Sequence, residues 1–187
     1  MKPMPTLDIQ IAIEDDGWPP EEALLARSEE VLAAALRHLV TVEKQPMPPQ
    51  APELSLVFAD DATVREINAE WREIDKPTNV LSFPMIQPDL IEAISNTDDG
   101  EVLLGDIILA HETCAREAQE RGVSLESHTT HLIIHGTLHL IGHDHENDAE
   151  AQAMEVLEIR ALETLGIADP YGDREPGSTG AIDETGI

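Results

Sequence analysis

The sequence predicts an α+β domain of about four strands and five helices, with histidines at metal-binding spacing on one helix. Three observations carry this. Four short runs have the alternation or β-branched content of strands, five longer segments have helical composition, and 187 residues suit one domain with a core of ordinary size.

Taken in order, Leu7, Ile9, Ile11 and Ile13 alternate with polar or small residues, the period-two pattern of a half-buried strand. GWPP ends it. From Pro20 to about Val40 the chain is rich in helix formers, with acidic residues in the first turn where the helix dipole favours them. QPMPPQAP, 45–52, has too many prolines for a helix or a central strand and reads as a linker to ELSLVFA, the second strand. Asp60 or Asp61 can cap the helix ATVREINAEWR. PTNVLSFP, bounded by prolines, predicts an edge strand.

IQPDLIEAISNTDDGE lacks periodicity and reads as a surface loop. VLLGDIILA is the fourth strand, HETCAREAQERG a helix closed by glycine, and Ser124 opens the helix that carries the histidines. Residues 148–166 form a final amphipathic helix. After Tyr171 the chain is Gly-rich and polar, so residues 1–171 are expected to form one domain and 172–187 a disordered tail.

Composition narrows the function. Eleven basic against 38 acidic residues give a net charge of -27, which disfavours nonspecific binding to polyanions. If nucleic acid is the substrate, local positive charge or a partner must overcome that field. The single cysteine, Cys114, excludes an intramolecular disulfide and a Cys-rich zinc finger, and reads as a small buried hydrophobe. Neither a signal peptide nor an apolar run of the roughly 20 residues needed for a membrane span is evident, so the expected location is the cytoplasm.

The segment HLIIHGTLHLIGHDH, 131–145, holds five of the eight histidines. At about 100° per residue, His131, His135 and His139 form one stripe, while leucines and isoleucines occupy most of the remaining circumference. The helix is therefore expected to be buried nearly all round, its stripe facing a cleft. Gly142 can end the helix in a left-handed turn and swing His145 towards the stripe. His135, His139 and His145 then make a three-point grip that suits Zn²⁺, or another transition metal that accepts imidazole, and leaves a fourth position open.

The zincin motif has this spacing with Glu after the first histidine, as general base; here that position is Gly136. His131 and His143 are expected to support the site rather than to bind metal. Asp144 can orient a ligand ring or cap the final helix.

HGTLHLIGHDH resembles the signature HGxLHLxGxDH of the YbeY family of bacterial metal-dependent endoribonucleases, which act in ribosomal RNA maturation. INAEWREIDKPTNVLSFP and LLGDIILA are similar to two further blocks of that family, and the likeness runs from about Glu53 to Ile167. The resemblance implies a small mixed sheet flanked by helices, zinc ligands at His135, His139 and His145, a catalytic arginine at Arg72, and a cytoplasmic, ribosome-linked role. The chain departs from the family pattern at Asn79, where Asp is common, and at His143, where Tyr is common.

Arg72 has a reading of its own. Arg65, Arg72 and Lys76 lie within twelve positions of a chain poor in bases, and a guanidinium suits phosphate. The plainer reading is a salt bridge to Glu70 or Glu73. Thr78 and Ser82 are read as structural hydroxyls.

The expected function is a zinc-dependent, single-strand-specific endoribonuclease of rRNA maturation, including the 16S 3′ end, and of ribosome quality control. Its partners would be rRNA and ribosomal proteins, with no DNA and no membrane. Two other classes stay open: a metallopeptidase-like hydrolase, suggested by the zincin spacing, and a noncatalytic ribosome-associated zinc protein, suggested by the acidity.

Overall fold

The computed structural model describes residues 6–44, 51–87, 90 and 102–172. Most of the expected linker (45–52), loop (86–101) and tail (172–187) lies outside these. In chain order the elements are β1 (Asp8–Ile13), α1 (Glu21–Thr41), β2 (Glu53–Ala59), α2 (Asp61–Arg72), β3 (Val80–Pro84), β4 (Leu103–Ala110), α3 (His111–Arg121), α4 (Leu125–Leu140) and α5 (Asp148–Glu163).

The four strands form one mixed sheet in the order β1-β2-β4-β3. β1, β2 and β4 run parallel, and β3 pairs antiparallel with β4 at the edge. The prolines that bound β3 suit that edge position, because proline cannot donate to a ladder. β1 forms the other edge, with alternating exposed and half-buried residues, as its period-two pattern predicts.

The two faces of the sheet are covered unequally. Leu54, Leu56, Phe58, Val80, Ile107 and Leu109 point to the face covered by α1 and α4, with α5 packed against those two helices, and most of the core lies here. Ala59, Leu81, Ile108 and Ala110 point the other way and meet Val64 of α2 in a smaller cluster.

Local signals place the helix starts. Asp60 caps α2, its Oδ1 accepting from the Thr63 N–H at 2.8 Å. Asp61 instead ties α2 to α3, accepting from the N–H and the hydroxyl of Thr113 at 2.9 and 2.8 Å. Ser124 caps α4 through the Ser127 N–H at 3.0 Å. α5 is capped by Asn147, which accepts from the Glu150 N–H at 3.0 Å, not by Asp144. Among the described residues no helix is long and apolar enough to cross a membrane.

Candidate metal centre

α4 is buried from His128 to Leu140 on every side, as its apolar circumference predicts. Gly136 explains how it lies so close to the sheet. A Cβ there would stand 3.0 Å from Cδ1 and 3.2 Å from Cγ1 of Ile107, a fully buried β4 residue. The position that holds the base in zincins thus faces the sheet here, and a longer side chain would be driven into the core.

After Leu140 the chain reverses at Gly142, whose φ of 104° strongly favours glycine. The His143 N–H returns to the Leu138 carbonyl at 2.9 Å, closing the helix end. The reversal brings His145 back over the stripe. One ring nitrogen from each of His135, His139 and His145 lies within 4.8 Å of the others, close enough for the three to hold a metal ion. His135 Nε2 and His139 Nε2 are 3.1 Å apart. His135 and His139 are buried and His145 is half-buried, so the group opens to solvent on one side.

A buried carboxylate orients this group. Glu158 of α5 is 1% exposed and faces Nδ1 of His135 with one oxygen and Nε2 of His131 with the other, the latter at 2.8 Å. The Tyr171 hydroxyl donates to the same oxygen as His131. An ionised carboxylate can only accept, so the His135 proton sits on Nδ1, leaving the Nε2 lone pair for the three-histidine group.

Burial alone would raise the Glu158 carboxyl, but the His135 and His131 rings hold it well below the usual carboxylate range. His139 is pushed down to about 3, first by burial and then by its His135 and His145 neighbours. Its ring is therefore a neutral base at physiological pH, the form that binds metal.

His131 takes the supporting place expected of it, one bond removed from His135 through Glu158. His143 is half-buried in the turn, and burial lowers its pKa. Asp144 accepts from the His145 N–H at 2.8 Å. Asn79, where the family pattern has Asp, donates from Nδ2 to Glu117 Oε2 at 3.0 Å and accepts from the Val80 N–H at 2.7 Å, fixing the start of β3. Cys114 is buried and unreactive, its thiol pushed far up by burial.

Arg72 ends α2 half-buried, and burial lowers its pKa. It forms no ion pair with Glu70, Glu73 or any other described residue, whereas Arg65 pairs with Asp75 at 2.7 Å. Among the described residues, then, the salt-bridge reading finds no partner for Arg72. Glu158 and Tyr171 escaped the sequence analysis. Glu158 had a signal: it is the one carboxylate among the buried positions Met154, Leu157, Glu158, Ala161 and Leu162 of α5.

Comparison with known proteins adds the remaining step. The Thermotoga maritima protein TM1509, known from a solution structure, shares the fold at a TM-score of 0.54 and 23% identity, over 91% of this chain and 99% of that one. A Rhizobium etli protein named Endoribonuclease YbeY is 56% identical over 171 residues, 90% of this chain and 95% of its own. One of the same name from Sphingopyxis alaskensis is 52% identical over 158 residues, 84% and 94% of the two chains. The family model described as Endoribonuclease YbeY matches residues 20–166, and the chain belongs to that family.

Proposed function

We propose that this protein is a zinc-dependent endoribonuclease that cuts single-stranded RNA, acting on ribosomal RNA in maturation of the 16S 3′ end and in ribosome quality control. The observation that carries the proposal is the convergence of three imidazoles with Glu158 fixing the tautomer of one of them. Residues 1–171 form the hydrolase domain in this reading, and its place is the cytoplasm.

The donor set fits zinc, since three imidazoles would leave one position of a tetrahedral site open. When bound, the metal supplies a water of lowered pKa and polarises a phosphoryl oxygen. His135, His139 and His145 hold it. Glu158 keeps the His135 proton on Nδ1. Arg72 binds the phosphate bidentately and steadies its developing charge, a duty for which its lack of an ion pair among the described residues leaves it free. With the space at Gly136 closed by Ile107, no side chain at that position acts as base.

The test uses purified protein on structured ribosomal RNA and on casein, beside His139→Ala and Arg72→Ala variants. RNA cleavage by the wild type, lost in the His139 variant, is expected, with casein untouched. Wild type that cuts RNA no better than the His139 variant overturns the proposal. Elemental analysis should find about one zinc per chain, lost with His135 or His139. A 2′,3′-cyclic phosphate product would identify the RNA 2′-hydroxyl as nucleophile, and a 5′-phosphate would identify water.

A further inference from the structure

The sheet face covered by α2 carries an apolar corner that the histidine group does not use. Trp71, next to last in α2, is 69% exposed. Its indole meets Phe83 of β3 edge-on, with ring centroids 6.3 Å apart. Met85, two residues beyond Phe83 and so on the same side of the extended chain, is 60% exposed. Its N–H bonds the Leu104 carbonyl at 2.9 Å, which holds it to the end of the ladder.

The chain has only two Trp, two Phe and one Tyr, and two of these rings stand together at this open corner. Trp18 is treated in the opposite way: it is 6% exposed, and its indole N–H donates to the Ala59 carbonyl at 2.8 Å. Core building accounts for Trp18. It does not account for Trp71.

The next residue is Arg72, and Lys76 follows on the same loop. Neither forms an ion pair among the described residues, despite 38 acidic residues in the chain. Exposed aromatic faces beside uncommitted cations are the composition of a single-strand nucleic-acid site, where bases stack and phosphates meet charge. Three apolar side chains and two cations suit one nucleotide step better than a protein partner, which needs roughly 800 Å² from each side.

β3 links this corner to the histidine helix. Phe83 and Ser82 are consecutive on that edge strand, so their side chains point to opposite faces. Ser82 pairs in register with Ile107, the residue against which Gly136 of α4 packs. The edge strand that carries Phe83 on one face therefore lies, on its other face, beside the helix that carries the histidines.

We infer that Trp71, backed by Phe83 and Met85, is a stacking platform for an unpaired base of single-stranded RNA, the base next to the phosphate that Arg72 binds, with Lys76 holding a further phosphate. This rests on the RNA-cutting reading above.

The test mixes full-length protein with a dye-labelled twelve-nucleotide single-stranded RNA and reads, by stopped flow before turnover, the anisotropy of the RNA for every variant and the tryptophan emission of the wild type. RNA should quench the wild-type emission, and an oligomer of abasic nucleotides should not. Trp71→Ala should bind the RNA roughly tenfold or more weakly and lose cleavage through KM, while Trp71→Phe keeps most of the affinity. Because Trp71 is so exposed, both variants should unfold at the wild-type temperature, which excludes misfolding as the cause. RNA bound equally by wild type and Trp71→Ala overturns the platform alone. RNA bound by neither overturns the RNA-cutting reading and the platform with it. A change of oligomeric state in Trp71→Ala with unchanged RNA affinity would make the corner a protein interface and overturn the inference.

Discussion

Glu158 and His135 come from different helices, yet the Glu158 carboxylate faces Nδ1 of His135 in a site where Glu158 is 1% exposed. The contact fixes which nitrogen of His135 is left for the three-histidine group. Glu158→Gln should lower metal affinity roughly 10- to 100-fold, as replacement of such orienting carboxylates does. Glu158→Ala should cost more, because it also strands the N–H groups of His131 and His135, at about 1–3 kcal/mol for each buried donor left unpaired. Competition with a chromogenic chelator measures the first effect and thermal unfolding the second. Equal metal affinity in all three proteins would remove Glu158 from the site.

Arg72 is a half-buried cation with no ion pair among the described residues, in a strongly acidic chain. Its guanidinium is thus available to an anion during function. Arg72→Ala should lower kcat/KM on RNA roughly a hundredfold or more, with little change in stability. Arg72→Lys should recover only part of this, since an ammonium cannot form the bidentate pair. Steady-state cleavage of a short RNA checks both, and an unchanged rate in the alanine variant would exclude a role in the chemistry.

Gly136 separates packing from catalysis. The Cβ of Gly136→Ala would press on Ile107, offsetting the roughly 1 kcal/mol that alanine gains over glycine in a helix, so the net change should be within about 1 kcal/mol. Gly136→Glu, which completes the zincin pattern, should destabilise by roughly 3 kcal/mol or more, because the longer chain and its charge enter the core. It should gain no activity on casein. Denaturant unfolding reads the stability, and a stable variant that cuts casein would show that the position does face the cleft.

These residues also show what a sequence can reveal. The strand ELSLVFA, the glycine-closed helix and the caps at Asp60 and Ser124 were legible because each is written in neighbouring residues. The three-histidine group was legible for the same reason: two ligands one turn apart and a third beyond Gly142 are a local pattern. Glu158 was only half legible: the apolar stripe of α5 marks it as the one buried acid, but its partners lie 23 and 27 residues away and nothing local names them. The direction of Gly136 was also hidden. Spacing places it beside His135, but only the docking of α4 on β4 decides that it faces Ile107.

Acid should unfold the metal-free protein in a defined window. The folded His139 is held down to about 3 by burial and by its histidine neighbours, while an unfolded histidine titrates near 6.5. Between these values the unfolded chain binds a proton that the folded one refuses. Stability should therefore fall as pH drops below about 6.5, at about 1.4 kcal/mol per pH unit for this one group. His143, also lowered by burial, acts in the same direction. Below the ordinary carboxylate value Glu158 adds to the loss, because its folded form stays ionised while the unfolded one takes up a proton. Denaturant titrations from pH 8 to 4 should show a plateau above about 7 and a decline below it. His139→Gln should reduce the decline between pH 6.5 and 4.5 by one proton's worth, whereas Glu158→Gln should reduce chiefly the part below 4.5. A stability that rises on acidification would mean that the buried histidines are charged in the folded state.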